Sequence, residues 1–342
     1  MKTRIQFVTC NRVKDYYGIT SGLFNSASFV VNFLNKNGYD CVITPVDDSN
    51  SIDKVVTEFD PEIVVIEALW VPPTKFKELL SIARHSRRKW IIRIHSKAPF
   101  LANEGIATQW IREYIEIIGG DKIVLAPNSK ELTRQFTAAF PEGKFISLLN
   151  VYEPEVYPSV KPKQKDNSEW IDIGCFGAIR PLKNNYQQAL SAISFAEIIG
   201  KKLRFHVNSS RLEQSGDNVI KNIRELFKNS ENQLIEHPWY KHKEFLEVIS
   251  KMDIGMQVSF SESFNIVTAD FVNVGVPIVV SDDIEWMPWI LKSSPTSHQK
   301  MVRKLRIARV FPRGMRFFQD LALDNYNQKA RRSWFGFLNS IS

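Results

Sequence analysis

The chain has 342 residues, of which 44% are hydrophobic and 24% charged, with a net charge of +8. This composition excludes a disordered polypeptide, and the length favours two domains over one. Cys10, Cys41 and Cys175 are scattered without a CxxC pair, and no apolar run reaches the ~18 residues of a membrane span. We therefore expect a cytoplasmic protein without disulfides or a zinc site.

Apolar, strand-like runs alternate with helix-like stretches over the first 150 residues. The predicted strands are Ile5–Thr9, Cys41–Thr44, Ile63–Ile66, Trp90–Ile94 and Lys122–Ala126. The predicted helices are Gly22–Asn37, Ile52–Phe59 and Lys75–Arg84. Apolar strands separated by helices are typical of a parallel sheet that is covered on both faces. The pattern predicts a Rossmann-like N-terminal domain over residues 1–152.

A segment rich in proline and lysine, residues 153–169, predicts a linker. After it the alternation restarts and predicts a second Rossmann-like domain over 170–290. Its predicted strands are Trp170–Phe176, Leu203–Val207, Leu234–Glu236, Ile254–Val258 and Ile278–Ser281, and its predicted helices are Tyr186–Ile199, Asn218–Phe227, Phe245–Met252 and Phe264–Val274. Residues 291–342 are predicted to be helical and to pack back toward the first domain. Two such domains predict a ligand cleft between them.

The most informative segment is 261–281, SESFNIVTADFVNVGVPIVVS. It predicts a turn with Glu262 and Ser263, a helix from about Phe264, and a buried strand after Gly275 and Pro277. The N-terminus of that helix would direct N–H groups and a positive dipole end toward a ligand, which suits a diphosphate.

This segment resembles the signature of the retaining GT-B glycosyltransferases that are grouped as family 4. In that family a Glu, then Ser/Gly-Phe-Gly, and a second Glu eight residues after the first precede a Gly-x-Pro-hydrophobic run. Glu262, Ser263, Phe264, Gly275 and Pro277 are among the residues that fall in register. The resemblance implies that Glu262 binds the sugar hydroxyls and that Asp270 binds the ribose of the nucleotide.

Two departures from this signature stand out. Asn265 occupies a position where Gly is usual, and Asp270 replaces the second Glu. The shorter carboxylate must approach the ribose more closely, which bears on the affinity for the nucleotide and on its identity.

A second element of the resemblance is GAIRPLKN, residues 177–184, after the predicted strand Trp170–Phe176. The family has Gly-Arg-x-x-x-x-Lys here, and its Arg and Lys bind the donor diphosphate. Lys183 is six residues after Gly177, as in the family, whereas Ala178 occupies the Arg position and Arg180 lies two residues later. The resemblance implies that Lys183 and Arg180 stabilise the leaving group.

Two features of the first half complete the predicted site. Gly18 and Gly22 bracket Ser21 before a helix, where GT-B proteins carry a glycine-bearing loop near the donor, although capping explains the same residues. His95 follows a predicted strand, where similar enzymes use a histidine on the sugar hydroxyls. No metal-ligand spacing and no nucleophile–histidine–acid pattern is visible, so we expect a metal-independent enzyme without a cofactor.

The positive charge is concentrated in residues 291–342, which hold eleven Lys/Arg and two acidic residues. Such a segment indicates a polyanionic partner, although a solvated helix face would have the same composition. RHSRRKW, residues 84–90, is a second basic stretch.

We therefore predict a retaining glycosyltransferase that moves a hexose from a nucleotide-diphosphate sugar, a UDP-sugar, to a hydroxyl. The favoured acceptor is a hydroxylated DNA base that binds through the basic tail. Alternatives are a lipid-linked or polysaccharide acceptor at an anionic membrane, a catalytically silent GT-B module that binds nucleic acid, and an epimerase. No sequence feature indicates a stable protein partner.

Overall fold

The computed structural model of the protein describes residues 2–11, 22–117, 123–155, 157, 160–163 and 168–341. The chain forms two compact units. Unit 1 comprises the residues up to Pro154 together with those from Asn327 onwards, and unit 2 runs from Glu155 to Tyr326. The predicted tail, 291–342, is therefore divided between the two units.

Unit 1 is built on a five-stranded parallel sheet in the order β2-β1-β3-β4-β5. Its strands are β1 (Arg4–Cys10), β2 (Asp40–Val46), β3 (Ile63–Glu67), β4 (Lys89–Ile94) and β5 (Ile123–Pro127). Its helices are α1 (Gly22–Lys36), α2 (Ile52–Phe59), α3 (Pro73–Ser81), α4 (Ala83–Ser86), α5 (Ala98–Asn103), α6 (Ala107–Ile117) and α7 (Lys130–Ala139). Every residue of β3, the central strand, is buried, as expected for a strand covered on both faces. Every residue of β5 is also buried, and Leu125 of this last strand forms a bridge with Phe145.

Unit 2 is built on a six-stranded parallel sheet in the order β11-β10-β9-β6-β7-β8. Its strands are β6 (Trp170–Gly174), β7 (Lys202–Asn208), β8 (Gln233–His237), β9 (Ile254–Gln257), β10 (Ile278–Ser281) and β11 (Lys292–Ser293). Its helices are α8 (Asn185–Ile198), α9 (Gly216–Phe227), α10 (His242–Ile249), α11 (Ile266–Asn273) and α12 (His298–Val310). A last helix, α13 (Pro312–Ile341), begins in unit 2 and ends in unit 1.

The strand order of unit 2 reverses between β6 and β9, where the chain leaves β6 for β7 on one side and returns to β9 on the other. In doubly wound sheets, ligands bind outside the carboxyl ends of the strands at such a switch point. Helix α11 lies close to the sheet there, because a Cβ added to Gly255 would stand 2.7 Å from the Phe271 ring. The fold therefore brings the loops after β6 and β9 to one edge, beside the N-terminus of α11.

All ten predicted strands are present within two residues of their predicted bounds. Helix α10 begins three residues earlier than predicted, at His242, and α11 begins two residues later, at Ile266. The helices α5, α6 and α7 and the short strand β11 were not predicted. The expected fold class, α/β with parallel sheets in two Rossmann-like parts, is confirmed.

Candidate active site

Two loops form the candidate site in unit 2, one after β6 and one after β9. Gly177 has a φ of +108°, a conformation that side chains disfavour, and its N–H donates to the Asn208 side chain at 3.0 Å. The chain then enters a short 3₁₀ helix, Pro181–Lys183. Asn184 joins the two loops, because its amide donates to the carbonyl of Val258 at 3.0 Å.

Lys183 and Glu262 form an ion pair at the centre of this edge, with Lys183 Nζ hydrogen-bonded to Glu262 Oε1. Their side chains are 13% and 9% exposed, so the pair lies at the boundary between the interior and solvent. The Phe260 N–H donates to the Leu182 carbonyl at 2.9 Å, and the Glu262 N–H donates to Asp283 at 2.5 Å. The predicted diphosphate cation and the predicted sugar-binding acid are thus adjacent.

Asn265 caps α11 from a left-handed conformation, with a φ of 56°. Its side-chain oxygen accepts from the Thr268 N–H at 2.8 Å, and its side-chain amide donates to Gln257 at 2.9 Å. Asparagine tolerates this conformation better than most residues other than glycine. This explains how Asn replaces the Gly of the resembling family, and it adds a side-chain cap that Gly lacks.

Ser263 and Phe264 occupy the turn between Glu262 and Asn265. The Phe264 side chain is buried and stacks on Tyr326, with ring centroids 4.9 Å apart. Its carbonyl accepts from the Trp286 indole N–H at 2.7 Å. The Phe264 side chain is therefore part of the core, and Ser263 is half-buried beside it.

Arg180 points toward Glu213, to which it donates at 2.8 Å, and Arg211 donates to the same carboxylate at 2.7 Å. Burial of Glu213 would raise its pKa, but the two guanidinium groups outweigh it and lower the pKa below the usual value. The structure thus places Arg180 in an ion-pair network beside the site, where Glu213 partly neutralises its charge.

Asp270, on the second turn of α11, is almost fully buried, and its Oδ1 lies 2.8 Å from His242 Nε2. Burial opposes protonation of His242, but Asp270 and Glu155 raise its pKa above the usual value. His242 was not predicted to contact Asp270, because its position at the start of a helix carries no signal of a partner 28 residues away.

His95 lies in unit 1, directly after β4, and its Nε2 is hydrogen-bonded to the Glu67 carboxylate at the end of β3. On the other edge of the ring, Nδ1 lies 3.4 Å from the Asn128 amide. Burial lowers the pKa of His95 despite the neighbouring carboxylate. Of the two N-terminal glycines, Gly22 is the first residue of α1, and Gly18 lies outside the described residues.

Glu67 and Arg93 form a buried pair that was not predicted. Arg93 donates to Glu67 at 2.8 Å and to Asn150 at 2.6 Å, and neither member has any side-chain exposure. The signal was present, because a Glu that closes one apolar strand and an Arg within the next must find partners if both are buried. Their positions on neighbouring strands would then have suggested that the two side chains pair with each other.

In the part of the chain that the structure describes, no three His, Cys, Asp or Glu side chains are grouped so as to hold a metal ion. Among the same residues, no helix is both long and apolar enough to cross a lipid bilayer.

No protein-family model matches the sequence, and no curated protein matches it either. Solved structures resemble the whole chain. A sucrose-phosphate synthase from Thermosynechococcus elongatus has a TM-score of 0.70 and 11% identity, covering 99% of this chain and 98% of that one. A UDP-forming α,α-trehalose-phosphate synthase from Burkholderia xenovorans has a TM-score of 0.68 and 11% identity, with the same coverage.

A third similar structure is an α-glucosyltransferase in complex with UDP and a 13-mer DNA containing an HMU base. Its TM-score is 0.64 and its identity 15%, covering 100% of this chain and 99% of that one. These identities are low enough that the likeness establishes the fold alone. The chain has the GT-B fold of these glycosyltransferases.

Proposed function

We propose that this protein is a retaining glycosyltransferase that transfers a hexose from a UDP-sugar to a hydroxyl group. The observation that carries the proposal is the Lys183–Glu262 pair, at the switch point of the unit 2 sheet and beside the N-terminus of α11. A cation, a carboxylate and a helix N-terminus at one edge suit a diphosphate attached to a polyhydroxylated ring.

In the proposed reaction, the bond between the anomeric carbon and the diphosphate breaks while the acceptor oxygen bonds to the same face of that carbon. The acceptor proton passes to the departing phosphate oxygen, and the products are the glycoside and the nucleoside diphosphate. Lys183 would exchange Glu262 for the diphosphate and stabilise its developing charge, while Glu262 would turn to the sugar hydroxyls. Arg180 would strengthen the local positive field, and His95 remains a predicted contact of the sugar.

For the acceptor we propose a hydroxylated base in DNA. The net charge of +8 supports a polyanionic partner, and the similar α-glucosyltransferase that was solved with DNA matches over the whole length of both chains.

A specific observation favours a second acceptor class, at an anionic membrane surface. Large apolar side chains are exposed where α12 meets α13, among them Val310 at 80% and Phe317 at 63%. Arg303, Arg306 and Arg313 are exposed on the same two helices. Exposed apolar groups on helices that also expose arginines suit insertion among anionic lipid headgroups.

This corner lies at the amino edge of the unit 2 sheet, because Gln319 on α13 bonds the backbone at Val276 and Ile278, where β10 begins. The Lys183–Glu262 pair lies at the carboxyl edge. A partner bound at the corner would therefore anchor the protein without contacting the sugar that is transferred.

The proposal is tested by incubating the protein with UDP-sugars and with DNA containing hydroxymethylated or unmodified pyrimidines, followed by mass spectrometry of the DNA. We expect a hexose mass on the hydroxymethylated strand only. Lys183→Ala should reduce product formation by ~10²–10³-fold, whereas Lys202→Ala, in an exposed pair with Glu169, should have no effect.

Three outcomes would change the proposal. Normal turnover by a folded Lys183→Ala variant would contradict the site, and a reversible loss of activity in EDTA would contradict metal independence. UDP-sugar hydrolysis without transfer to DNA, together with binding to anionic vesicles, would favour the membrane acceptor. DNA binding without any hydrolysis would indicate a silent binding module.

A further inference from the structure

Trp289 is a large aromatic residue that the fold of unit 2 leaves in solvent. It is 79% exposed and begins a short 3₁₀ turn, Trp289–Leu291. Met287 and Leu291, two residues before it and two residues after it, are both buried. The exposed indole therefore stands on a backbone that the core holds in place on either side. Tryptophan contributes a large contact area at interfaces, so an indole presented in this way suits contact with a partner.

The segment that carries Trp289 is bonded to the candidate active site before and after the ring. Before it, the Trp286 indole donates to the carbonyl of Phe264, in the turn that precedes α11, at 2.7 Å. After it, the Pro295 carbonyl accepts from the amide of Asn184, at the end of the loop after β6, at 2.8 Å. A partner that contacts Trp289 is therefore bound at the border of the donor site.

Cations of α12 accompany this ring. Lys304 Nζ lies 5.4 Å from the centroid of the Trp289 ring and donates to the carbonyls of Trp289 and Ile290. The sequence of α12 contains five Lys/Arg and no acidic residue, and Lys300 and Arg303 are exposed. An exposed aromatic ring beside a helix of one charge sign suits a partner that has both flat rings and negative charges.

We propose that Trp289 stacks on a base of the acceptor DNA that neighbours the modified base, while cations of α12 contact the phosphates of the same strand. The inference rests on the proposed DNA acceptor and names how that strand is held. An enzyme that modifies a base takes it out of the stack, and the neighbouring base then loses a stacking partner. An exposed indole replaces that partner for any base, because every base has an aromatic face.

The experiment measures the binding of a single-stranded oligonucleotide with one 5-hydroxymethyluracil by fluorescence anisotropy. In a series of further oligonucleotides, each neighbouring nucleotide in turn is abasic. For the wild type, one abasic position should weaken binding by ~10-fold, the size expected when one base loses an aromatic stacking partner. Trp289→Ala should weaken binding of the intact oligonucleotide by a similar factor. It should show no further loss at that one position, because the ring and the base make a single interaction.

Further variants separate stacking from charge and from a structural role. Trp289→Phe should keep most of the affinity, whereas Trp289→Leu, which is apolar without an aromatic face, should lose it. Trp289→Ala should keep the salt dependence of binding, while Lys300→Ala should lower the slope of log affinity against log salt by ~1. The matched control is Phe317→Ala, a 63% exposed ring at the corner of α12 and α13, which should bind the oligonucleotide as the wild type does. Thermal melting identifies any loss of fold.

The outcomes distinguish this inference from the proposed function. If Trp289→Ala binds the intact oligonucleotide normally, or loses the same additional affinity at every abasic position as the wild type does, no base stacks on Trp289. Transfer of a hexose to DNA by the wild type would then still support the proposed acceptor. If Trp289→Ala weakens binding to anionic vesicles and not to the oligonucleotide, the ring contacts lipid and the inference is wrong. If the wild type binds no DNA, the inference and the proposed DNA acceptor are both contradicted, whereas hydrolysis of a UDP-sugar would still support the donor site.

Discussion

Both sheets carry an ion pair at the carboxyl ends of their strands, but the two pairs differ in what remains available to a ligand. In unit 1, Glu67 and Arg93 have no exposed side-chain surface, and Arg93 also bonds the Leu148 carbonyl and Asn150. In unit 2, Lys183 and Glu262 lie at the boundary with solvent. The charges of the Glu67–Arg93 pair are satisfied within the protein interior. In the Lys183–Glu262 pair, by contrast, a ligand can replace one of the two partners.

The backbone explains this difference. Glu67 and Arg93 are register partners in the neighbouring strands β3 and β4, so the sheet itself sets their separation. Lys183 and Glu262 come from loops 79 residues apart and are brought together by the bonds of Asn184 and Phe260. A pair on strands stabilises the fold, and a pair on loops is suited to binding.

The largest effect is expected where the strand pair is broken. Arg93→Met should lower the free energy of unfolding by ~3–5 kcal/mol, because it leaves the Glu67 carboxylate buried without a counter-charge. Lys183→Met should cost about 1 kcal/mol, since solvent reaches its partner. Urea denaturation at pH 7 measures both. Equal losses would show that the two pairs do not differ as described.

The reverse order is expected for activity. Glu262→Gln should lower kcat by ~10²-fold, because it removes a charge assigned to the sugar in the transition state. UDP binding should change little. Glu67→Gln, assayed well below its melting temperature, should retain more activity than Glu262→Gln. Unchanged kinetics for Glu262→Gln would show that Glu262 only pairs with Lys183 and does not act on the sugar.

Acid should weaken the strand pair in a defined pH range. Burial alone would raise the pKa of Glu67, but Arg93 and His95 outweigh it and lower the pKa from 4.5 to about 2. A lowered pKa means that the stabilisation is complete above pH 4.5 and is lost as the pH falls toward 2, a difference of ~3 kcal/mol.

Glu67→Gln should flatten this dependence, measured as melting temperature between pH 6 and pH 3. Glu153→Gln is the control, because Glu153 pairs with Lys36 and Arg331 in a more exposed setting. If a steep acid transition persists in Glu67→Gln, the transition arises from other carboxylates, such as Asp172, whose pKa is also lowered.

The smallest effect concerns the cap of α11. Asn265→Ala should cost ~1–2 kcal/mol, because alanine loses the bond to the Thr268 N–H and is strained at a positive φ. Asn265→Gly relieves that strain and should cost less than 1 kcal/mol. Thermal unfolding compares the two. Equal stability of the variants would mean that backbone conformation at 265 does not constrain the residue.

The sequence predicted the strands well, because buried parallel strands such as Ile63–Glu67 are uninterrupted apolar runs. The predicted start of α10 is three residues too late, because the first turn, His242 to Glu244, is polar and the apolar stripe of the helix begins only after it. The family resemblance singled out Lys183 and Glu262, and the structure brings these two side chains together; their roles stay predictions.

The partners in contacts between distant segments were not predicted, although the sequence indicated that a buried Glu67 and a buried Arg93 would each need one. The pairing of Glu67 with Arg93 requires the strand order, and that of His242 with Asp270 requires the packing of α10 on α11. Similarly, nothing local showed that Glu213 would share the charge of Arg180. Charged side chains could be assigned to loops and strands, but their partners depend on the tertiary fold.

The division of α13 between the two units has a consequence for biosynthesis. The indole of Trp334 is fully buried in unit 1, where it donates to the Leu149 carbonyl at 2.9 Å and lies over Arg93 and against Phe7. Unit 2 is continuous in sequence and has all its residues once Tyr326 has been synthesised. Unit 1, whose sheet is made first, must wait for the residues after Asn327. Although domains commonly fold in the order of synthesis, on the ribosome the N-terminal unit of this protein is completed last.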